Sequence, residues 1–321
     1  MSLLIQSLSL CADGRGDHPS YSQTCFFHTI EEQGCMRMRA FALCRRSEMP
    51  EGPETRRAAD RLARVLVTDE PVEMHFVYPK LVPWIDDLAH VPICEVTSRG
   101  KALLMRFENG LTLYSHSQLY GRWTVNRRNQ RVKTSRSLRA EFLTPTHAAR
   151  LWSATEVRVL SAGEEASDPF LSRLGPDVLD ASSTPKILCG QLESHARKSA
   201  AHMMLDQSVF AGLGNYLRSE ILFEAGVHPD DRPGDLDAEE RHKWAQAIRR
   251  VTLRAYREAG VTVPRAVAHK GKAAGERRRT WRHWVFCRNE LACRICASLI
   301  ERRRYGGRRL DFCPTCQPSH R

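Results

Sequence analysis

Cys293-Arg-Ile-Cys296 and Cys313-Pro-Thr-Cys316 stand 16 residues apart near the end of a 321-residue chain, and nothing else in it limits the fold so tightly. Two C-x-x-C knuckles at that separation fit a tetrathiolate zinc site, in which one ion replaces a core too small to form from so short a segment. Four thiolates leave no open coordination position, so the expected zinc is a single structural ion. The competing arrangement, two disulfides, belongs to secreted domains, and the opening residues show no charged segment followed by an apolar one of the kind secretion requires. Between the knuckles, Tyr305-Gly306-Gly307-Arg308-Arg309 reads as a β-hairpin turning at its glycine pair, with an arginine near the tip.

The charge says what such a tip would meet. Lys and Arg number 49 against 37 Asp and Glu, a net charge of +12 with a pI near 9.4, which favours a polyanionic partner over a neutral metabolite. Forty-one of the 49 are Arg; bidentate phosphate contacts would explain the excess, and so would a coding bias without functional content. Residues 1–48 balance five Arg against five acidic residues, whereas residues 265–309 carry 14 Lys and Arg against three Glu. That basic stretch is interleaved with Trp281, Trp284, Phe286 and Tyr305, which points to nucleic acid rather than to a solvated face. No run of 18 apolar residues occurs, so no membrane partner is expected.

With 42% hydrophobic residues the chain can bury two ordinary cores. From Ile93 to Val159 short alternating runs, among them Ala102–Phe107 and Leu138–Leu143, are separated by turn signals such as Asn109-Gly110, and predict a β-sandwich or barrel. A helix precedes it over Pro53–Val67. Beyond Asp168-Pro169 the period becomes helical, in Ile187–Leu192, Leu217–Ala225 and Trp244–Tyr256. The fold class is therefore α+β. Within the helical part, Phe210-Ala-Gly-Leu-Gly-Asn-Tyr places Gly212 and Gly214 where a tight turn opens a helix, a place where backbone N–H groups and Asn215 can hold a phosphate. Cys94, Cys189 and Cys287 read as small buried hydrophobes.

Five separated motifs, "MPEGPETRRAADRL", "SRGKALLMRFENGLTLYSHSQLYGRW", "PFLSRLGPDVLD", "FAGLGNYLRSEIL" and the four-cysteine hairpin, occur in an order that resembles the endonuclease VIII branch of the formamidopyrimidine-DNA glycosylase family. The resemblance covers residues 49–316 and implies a catalytic β-sandwich domain over 49–165, a helix-two-turn-helix domain over 166–280 and a zinc hairpin over 281–321. It departs from the usual pattern at Asn289-Glu290, at Ser117 and in the basic stretch Lys270–Arg279, read as a loop.

The implied activity is a bifunctional DNA glycosylase and abasic-site lyase that removes oxidised bases, mainly pyrimidines, from double-stranded DNA and nicks the strand by β,δ-elimination. A cytoplasmic, nucleoid-associated monomer is expected. By resemblance Pro50 is the amine nucleophile and Glu51 the acid that opens the sugar; Glu51 and Glu54 both also suit a helix N-terminus. Lys101 is similar to the base-release lysine, and Arg308, with Arg309 as the competing register, to the arginine that grips the lesion phosphates. Gln118, Leu119 and Tyr120 match a void-filling triad, against the plain alternative of a hairpin with a core Leu and Tyr. Arg173 and Asn215 match phosphate-binding positions, and Asp177 matches a supporting carboxylate.

An internal proline has a tertiary amide nitrogen and no nucleophilicity, so Pro50 can serve only if the chain begins there. Residues 1–48, with Cys11, Cys25, Cys35 and Cys44 outside metal spacing, are expected to be absent from the active protein, Met49 being the true start. The alternative is a non-catalytic DNA-binding relative in which they block Pro50.

Overall fold

The computed structural model describes residues 50–321; residues 1–49, and with them every expectation placed on Met49 and the four early cysteines, lie outside the described residues. Helix α1 (Gly52–Leu66) opens the fold with Pro53 in its first turn and buries Ala59, Leu62 and Leu66, one stripe at helical spacing. Then come β1 (Glu73–Phe76), the short α2 (Ile85–Leu88), β2 (Ile93–Arg99), β3 (Ala102–Phe107), β4 (Thr112–His116), β5 (Arg122–Arg127), β6 (Leu138–Leu143), β7 (His147–Trp152) and β8 (Glu156–Leu160). They form two four-stranded antiparallel sheets, ordered β1-β6-β7-β5 and β2-β3-β4-β8.

Strand β3 is buried on both faces, and two clusters explain it. Leu103 and Met105 face the sandwich core with Leu62, Phe76 and Phe142, while Ala102 and Leu104 face a second cluster with Tyr114, Leu160 and Leu171. Cys94 departs from its expected burial. It is exposed, because β2 is an edge strand whose register slips between Ile93 and Glu95 and turns the thiol outward, where it donates to the Arg106 carbonyl at 3.3 Å. Cys189 and Cys287 are half-buried against the helical core.

The helical part runs through α3 (Glu164–Ser167), α4 (Pro185–Ser194), α5 (Ala200–Met203), α6 (Asn215–Ala225), α7 (Ala238–Arg257), α8 (Arg265–Ala273) and α9 (Arg278–Trp281). The stretch Lys270–Arg279 thus closes one helix and opens the next instead of forming a loop. It borders a cavity of about 510 Å³ that Val261, Val263, His269, Lys272 and Trp281 help to line. Helix α6 is central: every residue from Tyr216 to Phe223 is buried. The hairpin β9 (Glu301–Tyr305) and β10 (Arg308–Phe312) turns at Gly306 and Gly307, whose φ of 55° and 74° give the left-handed pair a two-residue turn requires.

Two buried charges on α6 hold the end of the chain: Arg218 ties down this hairpin and Glu220 the segment that leads to it. Arg218 donates to the carbonyls of Ala201 (2.7 Å), Arg309 (2.9 Å) and Arg308 (3.3 Å). The Glu220 carboxylate accepts from the N–H groups of Trp284 (2.7 Å), Val285 (2.9 Å) and Phe286 (2.9 Å) and from the Thr262 hydroxyl (2.5 Å). Charges this deeply buried are tolerable only with hydrogen bonds of this number, although the Arg218 Nε is buried without a partner. Leu310 and Phe312 complete the anchorage by entering the helical core beside Leu217 and Trp244.

Candidate active site

Glu51 precedes α1, yet its carboxylate is not spent on that helix. The Glu51 N–H is taken by Glu54 Oε2 at 3.1 Å, so the capping reading belongs to Glu54. The Glu51 side chain instead crosses to α6, where Oε1 accepts the Tyr216 N–H at 2.9 Å and Oε2 the Leu217 N–H at 3.3 Å. The positive end of a helix dipole thus receives a carboxyl from a sequence-distant segment.

The glycine turn makes this crossing possible. Gly212, at φ 101°, presents its carbonyl to the Gly52 N–H at 2.8 Å. Gly214 lies so close to Glu51 that a Cβ there would fall 2.3 Å from the carboxyl carbon. Its own backbone is extended (φ −142°), so alanine would be conformationally allowed and the clash alone would act. Gly214→Ala should therefore leave the thermal midpoint within a few degrees while displacing the carboxylate by about 1 Å. Displacements of that size cost on the order of 100-fold in rate, and single-turnover activity beside a melting curve checks both halves.

Three groups from three elements share one electrostatic field. Burial pushes the Glu51 carboxyl up to about 8, with the Lys101 charge pulling it down and Glu54 pushing it further up. Lys101 is lowered by burial, attracted by Glu51 and repelled by Arg308. Lys101 occupies the two-residue turn between β2 and β3, and the Gly100 N–H of that turn donates to Asp177 Oδ2 at 2.7 Å. Asp177 Oδ1 also accepts the Leu179 N–H at 2.9 Å, and Asp177 bridges to Ala211, next to Gly212. Through its carboxylate on one side and the backbone bridge on the other, Asp177 therefore joins the Lys101 turn to the glycine turn.

Arg308 is exposed at the start of β10, and it is the hairpin arginine whose charge bears on Lys101. Arg309 lies over the Phe286 ring, 4.3 Å from its centroid. Pro50 is half-buried beside Glu51. Gln118, Leu119 and Tyr120 form the loop between β4 and β5. Leu119 is 56% and Tyr120 65% exposed, so neither is a core residue. Gln118 is held at φ 45° by hydrogen bonds from its amide to Glu156 (2.8 Å) and from the Thr155 hydroxyl (2.8 Å). Arg173 is exposed, and Asn215 begins α6 with its Oδ1 buried and without a hydrogen-bond partner.

The sulfurs of Cys293, Cys296, Cys313 and Cys316 all lie within 4.8 Å of one another. The Cys293–Cys316 and Cys296–Cys313 pairs stand at 3.8 and 3.4 Å, far beyond a disulfide bond. Four sulfurs around a tetrahedral ion at about 2.3 Å would be about 3.8 Å apart, so the cluster could hold one metal ion.

Tyr216, Arg218 and Glu220 were not legible as site residues. Each lies in a helix that mixes charged and apolar residues and shows its partner only in three dimensions. Among the described residues no helix is long and apolar enough to cross a membrane.

Residues 49–158 match the Formamidopyrimidine-DNA glycosylase N-terminal domain, and residues 174–265 match the Formamidopyrimidine-DNA glycosylase H2TH domain. Endonuclease 8 of Escherichia coli K12 is 37% identical over 271 residues, which span 84% of this chain and 100% of that protein. Endonuclease 8 of Pectobacterium carotovorum is 36% identical over the same shares. Among solved structures, Lactococcus lactis formamidopyrimidine-DNA glycosylase bound non-covalently to DNA containing an abasic site superposes with a TM-score of 0.68 at 20% identity, over 84% of this chain and 100% of that one. Its complex with DNA containing an oxidised pyrimidine gives the same TM-score and coverage.

Proposed function

The chain belongs to the endonuclease VIII branch of the formamidopyrimidine-DNA glycosylase family, and on that premise we propose a mechanism in which Pro50, Glu51, Lys101 and Arg308 act together on damaged DNA. It is a DNA glycosylase with abasic-site lyase activity in base excision repair. The observation that carries the mechanism is the convergence of a buried carboxyl, a lysine and an arginine from the residue before α1, the β2–β3 turn and the hairpin, with Pro50 adjoining.

The Pro50 amine attacks C1′ of the damaged nucleotide, forming an N–C1′ bond as the glycosidic C–N bond breaks and the base leaves with that electron pair; the proton that the Pro50 nitrogen then gives up neutralises the departing base. The nitrogen lone pair freed by that loss forms an iminium, the C1′–O4′ bond breaks toward O4′, and O4′ takes the Glu51 proton. Loss of a C2′ proton expels the 3′ phosphate, and a second elimination expels the 5′ phosphate. Lys101 handles base release and the first elimination, while Arg308 holds the phosphates through the second. Burial suits Glu51 to this task. A neutral amine beside a neutral acid holds the same protons as an ammonium beside a carboxylate, and desolvation favours the uncharged pair.

Leu119 and Tyr120, exposed on their loop, would enter the duplex as the base leaves, with Gln118 facing the orphan base. Arg173 and Asn215 would hold phosphates, and Glu54 and Asp177 would support the acid and the lysine turn. The four thiolates suit one structural zinc ion, which would fix the hairpin. Duplex DNA with oxidised pyrimidines is the proposed substrate, met by a cytoplasmic, nucleoid-associated monomer. The proposed domain limits are 49–165, 166–280 and 281–321.

Borohydride trapping on a duplex containing an oxidised pyrimidine tests this with protein that begins at Pro50. A reduced protein–DNA adduct, and nicks ending in phosphate on both sides, are expected. Glu51→Gln should lower base excision by at least about 100-fold, as loss of a general acid does. Because Glu51 acts protonated, excision should fall as pH rises through about 8. Tight DNA binding without any adduct would instead mark a non-catalytic relative.

A further inference from the structure

Tyr216 is the residue that touches both acids of the site. Its N–H donates to Glu51 Oε1 at 2.9 Å, and its hydroxyl lies 3.1 Å from each oxygen of Glu54. Glu54 in turn accepts the Glu51 N–H, which closes a ring of hydrogen bonds through the three residues. The phenol is 5% exposed and packs on His283 (5.5 Å between centroids) and Phe286 (6.3 Å), so it has little freedom to leave.

Resting on the proposed role of Glu51, we propose that the Tyr216 hydroxyl is a positioning group: by donating to Glu54 it holds a negative charge beside Glu51, so that the one proton the two carboxyls share stays on Glu51. Burial pushes the Glu54 carboxyl up, and against it act two donors, the Glu51 N–H and the Tyr216 hydroxyl, and the field of Arg282, all of which favour its ionised form. Facing Glu51 are Lys101 from the β2–β3 turn, Arg218 from α6 and Glu54 from α1, and of these only the Glu54 charge keeps the proton in place. Tyr216 itself stays a donor throughout, since burial and the two glutamates hold its hydroxyl well above the usual phenol range. His283, against the Tyr216 ring, is held neutral by burial and by Arg278, Arg282 and Arg309.

Removing the hydroxyl strips Glu54 of a donor and raises its hold on the shared proton. Glu51 then ionises at lower pH, and the supply of acid fails early. The test is a titration of ¹³C-glutamate side chains by NMR on the full 321-residue chain with its metal, the Glu51 resonance being assigned by its loss in Glu51→Gln. Tyr216→Phe should move the Glu51 midpoint down by about one pH unit, a tenfold change in its proton affinity. Glu54→Gln, which removes the charge directly, should move it in the same direction, and the double variant should move it no further than Glu54→Gln alone.

A Glu51 midpoint that stays in place or rises in either single variant overturns the proposal, and Glu54→Gln decides alone if Tyr216→Phe does not fold. A purely structural tyrosine would broaden the glutamate signals without moving one midpoint selectively. The titration needs neither DNA nor a free Pro50 amine, so it stands apart from borohydride trapping. Absence of an adduct would fail the Schiff-base mechanism, whereas an unmoved midpoint would fail the role of Tyr216.

Discussion

Protein that retains residues 1–49 will give no borohydride-trapped adduct with abasic DNA, and the same protein cut between Met49 and Pro50 will give one. The reason lies in the nitrogen. Joined to Met49, Pro50 has an amide nitrogen whose lone pair is delocalised into a carbonyl. Freed, it is a secondary amine with a pKa near that of other chain termini, about 8, and a useful unprotonated fraction at neutral pH. A well-oriented intramolecular nucleophile is worth on the order of 10⁵ M in effective concentration, or about 7 kcal/mol. No other group described at the site supplies a replacement: Lys101 is half-buried and committed to the fields of Glu51 and Arg308. Adduct formation should therefore drop below detection in the uncut chain while DNA affinity persists. Intact mass and trapping on the same sample make the comparison, and an adduct formed by the uncut chain would move the nucleophile from Pro50 to Lys101.

The distinction matters for reading the sequence, because the chemistry of Pro50 is fixed by its covalent neighbour and not by its surroundings. Much of the rest could be read in advance. Strands β3 and β6 have the expected limits, and the Gly306-Gly307 turn follows from the one conformation that joins two strands with two residues. The arrangement around Glu51 was hidden, since its carboxylate meets Tyr216 across 165 residues and no periodicity records that contact. Asp177 and Gly100 lie 77 residues apart and were equally unreadable as partners. Strand β7 escaped for a different reason. Arg150 in its middle looks solvent-facing, yet it lies opposite Glu141 on β6 and pairs with it at 2.5 Å. Cross-strand pairing of that kind lets a charge sit inside a sheet.

Metal removal should have the second largest effect, and its reach is set by how the hairpin is held. Strand β9 reads Glu301-Arg-Arg-Arg-Tyr and is almost wholly exposed, while Ile295 and Leu299 in the knuckle region are 66% and 61% exposed. The segment has little core of its own beyond Phe223, Val285 and Ile300 around the cysteines. Structural zinc contributes about 10–16 kcal/mol of apparent binding free energy in zinc-finger peptides, comparable to the net stability of an entire domain. Yet the helical core around Phe210, Trp244 and Val251 does not touch the cysteines. Cys313→Ser with Cys316→Ser should therefore abolish metal content and lose hydrogen-exchange protection across residues 284–316. The melting transition of the remainder should shift by only a few degrees. Arg308 would no longer be held at the site, and the second elimination should slow at least about 100-fold while the trapped adduct persists. The salt dependence of DNA affinity should flatten by about one phosphate contact for each hairpin arginine withdrawn. A metal-free double variant that keeps both hairpin protection and the full salt slope would mean that Arg218 and Glu220 suffice to hold the hairpin against α6, with the four thiolates making no contribution to its fold.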